Sequence, residues 1–217
     1  MNETIAQALQ ELRALGIKHE QAWKEAIREP NEEIYSVDFY LISALNRSYC
    51  LLRGFCDLIE TRNFIAAAPL VRLQLDTCAR INALTLVDDP YEFAADVLDG
   101  KQINKIKDRS GTKMTDRHLV ECLAQEYSWI DDVYQQTSAY IHFSNKHLWN
   151  VLGPTVSQDE MYRTVILKVT NKDEFIPDAE YLNAIRAFRQ LTDLLLEFAS
   201  AWTSSRAEQR MKGQALP

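Results

Sequence analysis

Apolar residues recur three and four positions apart along most of this chain, which is the spacing typical of amphipathic helices. The clearest stripe begins at Val37 and continues to about Arg62. A stripe of that length needs a facing partner over its whole extent. Residues 64–87 are apolar nearly all round and predict the central, most buried helix, with Pro69 kinking it or marking its first turn. We expect these two segments to pack against each other.

Further helices are predicted on both sides of this pair. They cover residues 3–15 and 17–29 with Gly16 between them, 90–99 closed by Gly100, about 115–126 capped by Thr115 or Asp116, 127–143, and a long last helix capped by Asp178. Between two of them, residues 100–114 carry five basic residues and one acidic residue, which predicts an exposed loop or a broken helix.

The pattern changes after His147. Residues 148–170 contain two short segments rich in β-branched and aromatic residues, which favour a small β-hairpin on the side of the bundle. A short helix is the alternative, because Ser157 and Glu160 have the spacing of a capping box. The predicted fold is therefore mainly α, an antiparallel helical bundle with a small hairpin after the fifth or sixth helix. One domain over 1–205 is expected, followed by a frayed tail over 206–217.

Composition narrows the class of protein. The 217 residues include 47% hydrophobic and 25% charged residues, which is ordinary for a globular chain, and no segment is apolar for the length of a membrane span. A net charge of −7 disfavours broad affinity for nucleic acid. The four cysteines lie among apolar neighbours without a CxxC pair, and the acidic N-terminus does not resemble a signal peptide, so we expect a reducing, cytoplasmic setting.

The central segment carries charges that a buried helix does not need. Arg72, Asp76 and Arg80 are four residues apart and therefore share one stripe. Asp76 can pair with both arginines, which leaves one net positive charge and several N–H donors for a carboxylate or phosphate. The structural alternative is an internal Arg–Asp–Arg ladder that ties this helix to its neighbours.

A second polar stripe lies in the stretch SAYIHFSNKHLW and just before it. Tyr134, Ser138, His142 and Asn145 share a face if the helix continues that far. His142 and His147 are five residues apart without an intervening glutamate, so no metal is predicted. A Ser138–His142 nucleophile pair lacks the glycines of a nucleophile elbow. The structural alternative is a helix end where His142 or Asn145 bonds the last free carbonyls.

The basic segment contains Lys101, Lys105, Lys107, Arg109 and Lys113. It can be read as a solvated, mobile loop or as a flap that adds positive charge near an anion site.

The pairing of LVRLQLDTCARINAL with VYQQTSAYIHFSNKH resembles an uncharacterised family of helical bacterial proteins, distantly related to HEPN (higher eukaryotes and prokaryotes nucleotide-binding) domains. The resemblance covers roughly residues 35–150. It implies a helical bundle, often dimeric, in toxin, defence or nucleotide-binding contexts. Active ribonucleases of that superfamily use an arginine four to six residues before a histidine, and no arginine lies at that spacing before His118, His142 or His147. Only His142 matches the recurrent histidine position, and Arg72 could supply the cation from another helix.

Three functions follow as hypotheses. The first is a ligand-binding or regulatory domain for an anionic small molecule or nucleotide, with Arg72, Asp76, Arg80, Tyr134, Ser138, His142 and Asn145 as its site and no cofactor. The second is an enzyme, a HEPN-like ribonuclease or a phosphotransfer enzyme, with His142 as general acid or base. The third is a homodimeric interaction protein whose polar stripes only fix register. We favour the first, with a homodimer as its setting, no membrane partner and no catalytic activity.

Overall fold

The computed structural model describes residues 3–27, 34–158 and 163–211. Within these ranges the chain forms a mainly α-helical bundle, as predicted. Its helices are α1 (Glu3–Ile27), α2 (Ser36–Glu60), α3 (Phe64–Leu86), α4 (Pro90–Leu98), α5 (Asp116–Glu126), α6 (Trp129–Ile141), α7 (Asn145–Trp149) and α8 (Asp178–Met211). A 3₁₀ turn occupies Ile103–Lys105, and two strands, β1 (Leu152–Gln158) and β2 (Arg163–Leu167), lie between α7 and α8.

The central position predicted for α3 is confirmed. This helix contacts α2, α4, α5, α6 and α8, and α2 packs along it as expected from the long apolar stripe. Leu75 and Cys78 of α3 are completely buried, and the stacked rings of Phe55 and Phe188 join α2 to α8 in the same core. Pro69 lies in the second turn of α3, where its missing N–H leaves the carbonyl of Ile65 without its intrahelical partner.

The predicted break at Gly16 is wrong, because α1 is one helix from Glu3 to Ile27. Gly16 is buried where α1 meets α2, and a Cβ atom there would come within 3.1 Å of Cε2 of Tyr49. The glycine therefore allows two helices to approach closely and does not end one of them. Gly100, in contrast, has φ of +90° just after α4 and closes that helix as predicted.

The strands β1 and β2 pair antiparallel, with Leu152 opposite Leu167 and an irregular register between the ends. They follow the seventh helix and not the fifth or sixth, because the predicted 127–143 helix ends early and a short extra helix, α7, comes next. Ser157 belongs to β1, so the alternative helix does not begin there. Residues 159–162, the turn of the predicted hairpin, lie outside the described residues, and the hairpin itself stays a prediction.

At the C-terminus α8 continues to Met211, beyond the boundary predicted at 205. The added residues include alanine, glutamate, glutamine and arginine, which are strong helix formers. Residues 212–217 lie outside the described residues.

The four cysteines are free thiols, but only Cys56 and Cys78 are core residues, whereas Cys50 is exposed. Apolar neighbours in the sequence therefore do not make Cys50 a core residue, and Cys122 is only partly buried.

One chain of polar side chains crosses the core and joins four helices. Gln74 of α3 donates from Nε2 to Ser48 Oγ at 2.6 Å and to Thr192 Oγ1 at 3.1 Å. His19 Nδ1 donates to the carbonyl of Leu15 at 3.0 Å, so its Nε2 accepts from the Ser48 hydroxyl at 2.9 Å. Burial lowers the pKa of His19, which favours the neutral ring that this arrangement requires. We call these four side chains, His19, Ser48, Gln74 and Thr192, the core polar chain.

Candidate functional site

A cleft of about 430 Å³ opens between α3, the start of α5 and the end of α6. We call it the α3–α6 cleft. It is lined by Arg72, Leu73, Asp76, Arg80, Asp116, Tyr134, Ser138, Ile141 and His142. Six of the seven residues predicted as a ligand site therefore border a single cavity. Asn145 does not border it.

Three ion pairs fix the α3 wall of the cleft. Arg80 donates from Nε to Asp76 Oδ1 at 2.8 Å, and Arg47 of α2 donates from Nη1 to Asp76 Oδ2 at 2.9 Å. Arg80 also reaches Asp116 Oδ1 at 2.7 Å through Nη2. Burial alone would raise the pKa of Asp76, but Arg80 and Arg47 outweigh it and hold this pKa below its ordinary value. Asp76 is therefore ionised, and each of its two carboxylate oxygens accepts a hydrogen bond from an arginine.

The predicted ion pair between Arg72 and Asp76 is absent from the described contacts. The expected Arg72–Asp76–Arg80 ladder is therefore wrong at Arg72. Side chains on a helix lean toward its N-terminus, so an acid pairs best with a base four residues after it. That geometry favours Arg80 over Arg72 as the partner of Asp76. The second oxygen of Asp76 is then taken by Arg47, a residue of a different helix.

Arg72 instead lies against an aromatic ring from the opposite wall. Its guanidinium carbon is 4.4 Å from the centroid of the Tyr134 ring. Such a cation–π contact holds the guanidinium in a defined plane while its N–H groups stay available at the edge. Among the described residues Arg72 has no carboxylate partner. It is thus the cleft's uncompensated positive charge within the described part of the chain.

The α6 wall ends at the cleft. Ser138 donates its hydroxyl to the carbonyl of Tyr134 at 2.6 Å, a backbone contact that leaves no Ser138–His142 pair among the described hydrogen bonds. His142 follows the last helical residue, has an extended ψ of 147° and is exposed. The described contacts therefore leave the His142 imidazole at the mouth of the cleft without an intramolecular role.

The helix end itself is satisfied by other residues than those predicted. Ser144 donates its hydroxyl to the carbonyl of Ala139 at 2.7 Å, whereas the prediction assigned this task to His142 or Asn145. His147 Nδ1 accepts from the Ser144 N–H at 3.2 Å and completes the cap of α7. Asn145 lies in α7, because α6 does not continue through residue 142, and it is therefore not on the face of Tyr134 and Ser138. Its inclusion in the site is not supported by the geometry.

The basic segment is neither a solvated loop throughout nor a flap over the cleft. Ile103, Ile106 and Met114 anchor it in the core, and Lys101 pairs with Asp96. Arg109 donates to the carbonyls of Leu86 and Val87 and so caps the end of α3. None of its five basic residues lines the α3–α6 cleft.

Asp108 organises this segment and was missed by sequence reasoning. Its carboxylate accepts from the backbone N–H groups of Ser110 and Thr112 and from His118 Nε2 at 2.7 Å. The hydrogen bond from the Ser110 side chain has the largest effect on the pKa of Asp108. With the bonds from His118 and Thr112 it holds this pKa well below its ordinary range, although burial of the carboxylate acts in the opposite direction. The signal in the sequence was the DRSG stretch, since an aspartate before serine and glycine favours such a turn. The consequence for the site is indirect: the ordered loop fixes Asp116, which follows Thr115, the N-cap of α5.

Comparison of the chain with models of known protein families, with curated proteins and with solved structures gave no match in any of the three. Among the described helices, none carries an apolar stretch sufficient to cross a bilayer. No group of three or more histidine, cysteine, aspartate or glutamate side chains in the described ranges is arranged to hold a metal ion. The geometry of the α3–α6 cleft is therefore the basis on which a function can be inferred.

Proposed function

We propose that this protein is a ligand-binding or regulatory domain that takes a small anionic molecule, such as a nucleotide, in the α3–α6 cleft. The observation that carries the proposal is Arg72, whose guanidinium is oriented by Tyr134 and has no acidic partner among the described residues. A planar guanidinium with available N–H groups matches the oxygens of a phosphate or carboxylate.

The size and polarity of the cleft support the same reading. A volume of about 430 Å³ falls within the range of small-molecule sites, about 300–1,000 Å³. Asp76 and Asp116 also line the cleft, so it is not a broad positive surface. Because both carboxylates are bound to arginines, they position charge and do not cancel that of Arg72. A compact ligand with one anionic group fits this arrangement better than a polyanion does.

Titration with phosphate, nucleoside monophosphates and nucleoside triphosphates, followed by thermal shift and calorimetry, tests the proposal. We expect Arg72→Ala to weaken binding about tenfold to a hundredfold, the worth of a hydrogen bond to a charged group. Arg72→Lys should recover only part of the affinity, because lysine keeps the charge but loses the fork and the stacked plane. Arg53→Ala, which removes an exposed arginine of α2 outside the cleft, is the matched control.

A folded Arg72→Ala protein that binds these anions as tightly as wild type would contradict the proposal, as would a wild type that binds none of them.

The second candidate is a phosphodiester-cleaving enzyme, favoured by one observation: exposed His142 borders the same cleft as Arg72 and Arg80. RNA incubated with wild type and with His142→Ala separates the two functions. Cleavage that is equal in both proteins excludes His142 as the general acid or base.

The homodimer stays part of the proposal as its setting. Exposed apolar side chains collect near the end of α6 and along β2, including Ile141, Phe143, Leu148 and Leu167. Phe143 is 83% exposed, and a second copy covering this edge would remove it from water.

A further inference from the structure

A second cavity, of about 180 Å³, lies between α1 and α2. We call it the α1–α2 pocket. Each helix supplies three lining residues with the same spacing, i, i+1 and i+4. They are His19, Glu20 and Trp23 from α1, and Leu45, Asn46 and Tyr49 from α2. Positions i, i+1 and i+4 share one side of a helix, so the two sets face each other across the helix pair. Three of the six lining side chains are aromatic or imidazole rings.

The ring of Tyr49 is held in place on two sides. It stacks on the imidazole of His19, with ring centroids 5.4 Å apart and an angle of 16° between the planes. It also lies against Gly16, where a Cβ atom would come within 3.1 Å of the ring. Its phenol donates to Glu20 Oε1 at 3.3 Å. The wall of the pocket is therefore formed before any ligand arrives.

The electrostatic character of the pocket is that of a cation site. Glu20 is the charged residue among the six that line it. His19 contributes no positive charge, because its nitrogens are engaged by Leu15 and Ser48 in the arrangement of a neutral ring. The faces of aromatic rings are electronegative, so the rings and the carboxylate act in the same direction.

Other rings in the described part of the chain already have cationic partners. Arg62 lies over Tyr181 at 4.3 Å and Lys146 over Tyr140 at 4.8 Å, in addition to the contact between Arg72 and Tyr134. No such contact is recorded for Trp23 or Tyr49 within the described ranges. Trp23 is 45% exposed, which is unusual because tryptophan side chains are on average highly buried. The pocket thus has the rings of a cation–π site without an internal cation.

We propose that the α1–α2 pocket binds the quaternary ammonium group of a small organic cation of the choline type. Its volume is below the range of sites for drug-sized ligands, which begins at about 300 Å³, so it suits a head group. A hard metal ion would require several oxygen ligands, whereas this pocket offers Glu20 and the amide of Asn46. The rings of Trp23 and Tyr49 and the carboxylate of Glu20 line the same pocket. This combination suits a methylated ammonium ion, which is large, weakly hydrated and cannot donate hydrogen bonds.

Calorimetric titration with choline and with 3,3-dimethylbutan-1-ol, its neutral analogue of the same shape, tests the proposal. We expect choline to bind about tenfold more tightly than the alcohol, because only the cation gains the electrostatic attraction of the rings and the carboxylate. Trp23→Ala and Glu20→Gln should each weaken choline binding severalfold. Ile17→Ala, at a position of α1 that is 64% exposed and outside the pocket, is the matched control and should leave the affinity unchanged.

Several results would overturn the proposal: no choline binding, equal binding of the neutral analogue, or full affinity in both folded variants. Binding to phosphatidylcholine vesicles or to a trimethyllysine peptide, without binding of free choline, would assign the pocket to a macromolecule and also contradict it. The Arg72→Ala protein should bind choline like wild type, since Arg72 does not line this pocket. Failure of either site therefore leaves the other interpretable.

Discussion

Two polar groups on the same helix, α3, behave in opposite ways. Gln74 belongs to the core polar chain, is fully buried and donates to side chains of α2 and α8. Arg72 and Asp76, two residues before and after it, belong to the α3–α6 cleft. Because two residues correspond to about 200° of helical turn, these neighbours lie on opposite sides of the helix. One side faces the centre of the bundle and the other an open cavity.

The difference shows how burial decides what a polar residue can do. An unpaired polar group in the core costs free energy, so His19, Ser48, Gln74 and Thr192 bond one another. Within the core polar chain, Oε1 of Gln74 is the one buried side-chain polar atom without a hydrogen-bond partner among the described residues. On the cleft side water supplies the missing partners, and Arg72 can keep its N–H groups for a ligand. The core polar chain therefore serves the fold, and Arg72 serves the proposed function.

The largest loss of stability should follow from a substitution in the core polar chain, the buried member of this comparison. Gln74→Ala would leave a cavity and remove the donor to Ser48 and Thr192. We expect it to lower the free energy of unfolding by about 3 kcal/mol, measured by urea denaturation. Gln74→Met fills the same volume and should cost less. If the alanine variant were as stable as wild type, the core polar chain would contribute nothing to the fold.

An intermediate effect is expected at Asp76, which touches both structure and site. Asp76→Asn removes the charge that holds Arg80 and Arg47, and we expect a loss of about 2 kcal/mol at pH 7. The exposed Asp131→Asn on α6 is the control and should change stability little.

The pH dependence of this variant gives a second test. The pKa of Asp76 is lower in the folded protein than its ordinary value of about 4, so its stabilisation is fully present above that value. It is lost as the pH falls through the folded pKa, because the carboxyl group then becomes protonated. The stability difference between wild type and Asp76→Asn should therefore shrink from pH 7 to about pH 3. A constant difference would show that the ion pairs are not its cause.

The sequence was informative where a single helix determined the result. Regular spacing placed Arg72, Asp76 and Arg80 on one stripe of α3, and Tyr134 and Ser138 on one stripe of α6. Both stripes border the same cleft because the two helices pack on each other. The central position of α3 was likewise evident from its continuous apolar composition.

It was less informative where two helices or a chain reversal decided the outcome. Arg47 lies on the polar side of an amphipathic stripe, and its contact with Asp76 depends on how α2 and α3 are rotated against each other. The end of α6 depends on hydrogen bonds of Ser144 and His147, which compete locally with continued helix and move Asn145 away from the site. Gly16 looked like a helix break, because its close contact with Tyr49 arises only in the folded protein.

The smallest effect on stability should come from Arg72→Ala, and this prediction separates the two sides of α3 most sharply. Arg72 is half-buried and rests on Tyr134, a contact worth about 0.5–1 kcal/mol at an exposed site. We expect a loss of stability below about 1 kcal/mol in urea denaturation, together with the loss of anion binding proposed above. A loss as large as that of Gln74→Ala would instead mean that Arg72 is part of the structural framework. In that case the cleft would be a by-product of helix packing, since its one uncompensated charge among the described residues would be required for folding and not for a ligand.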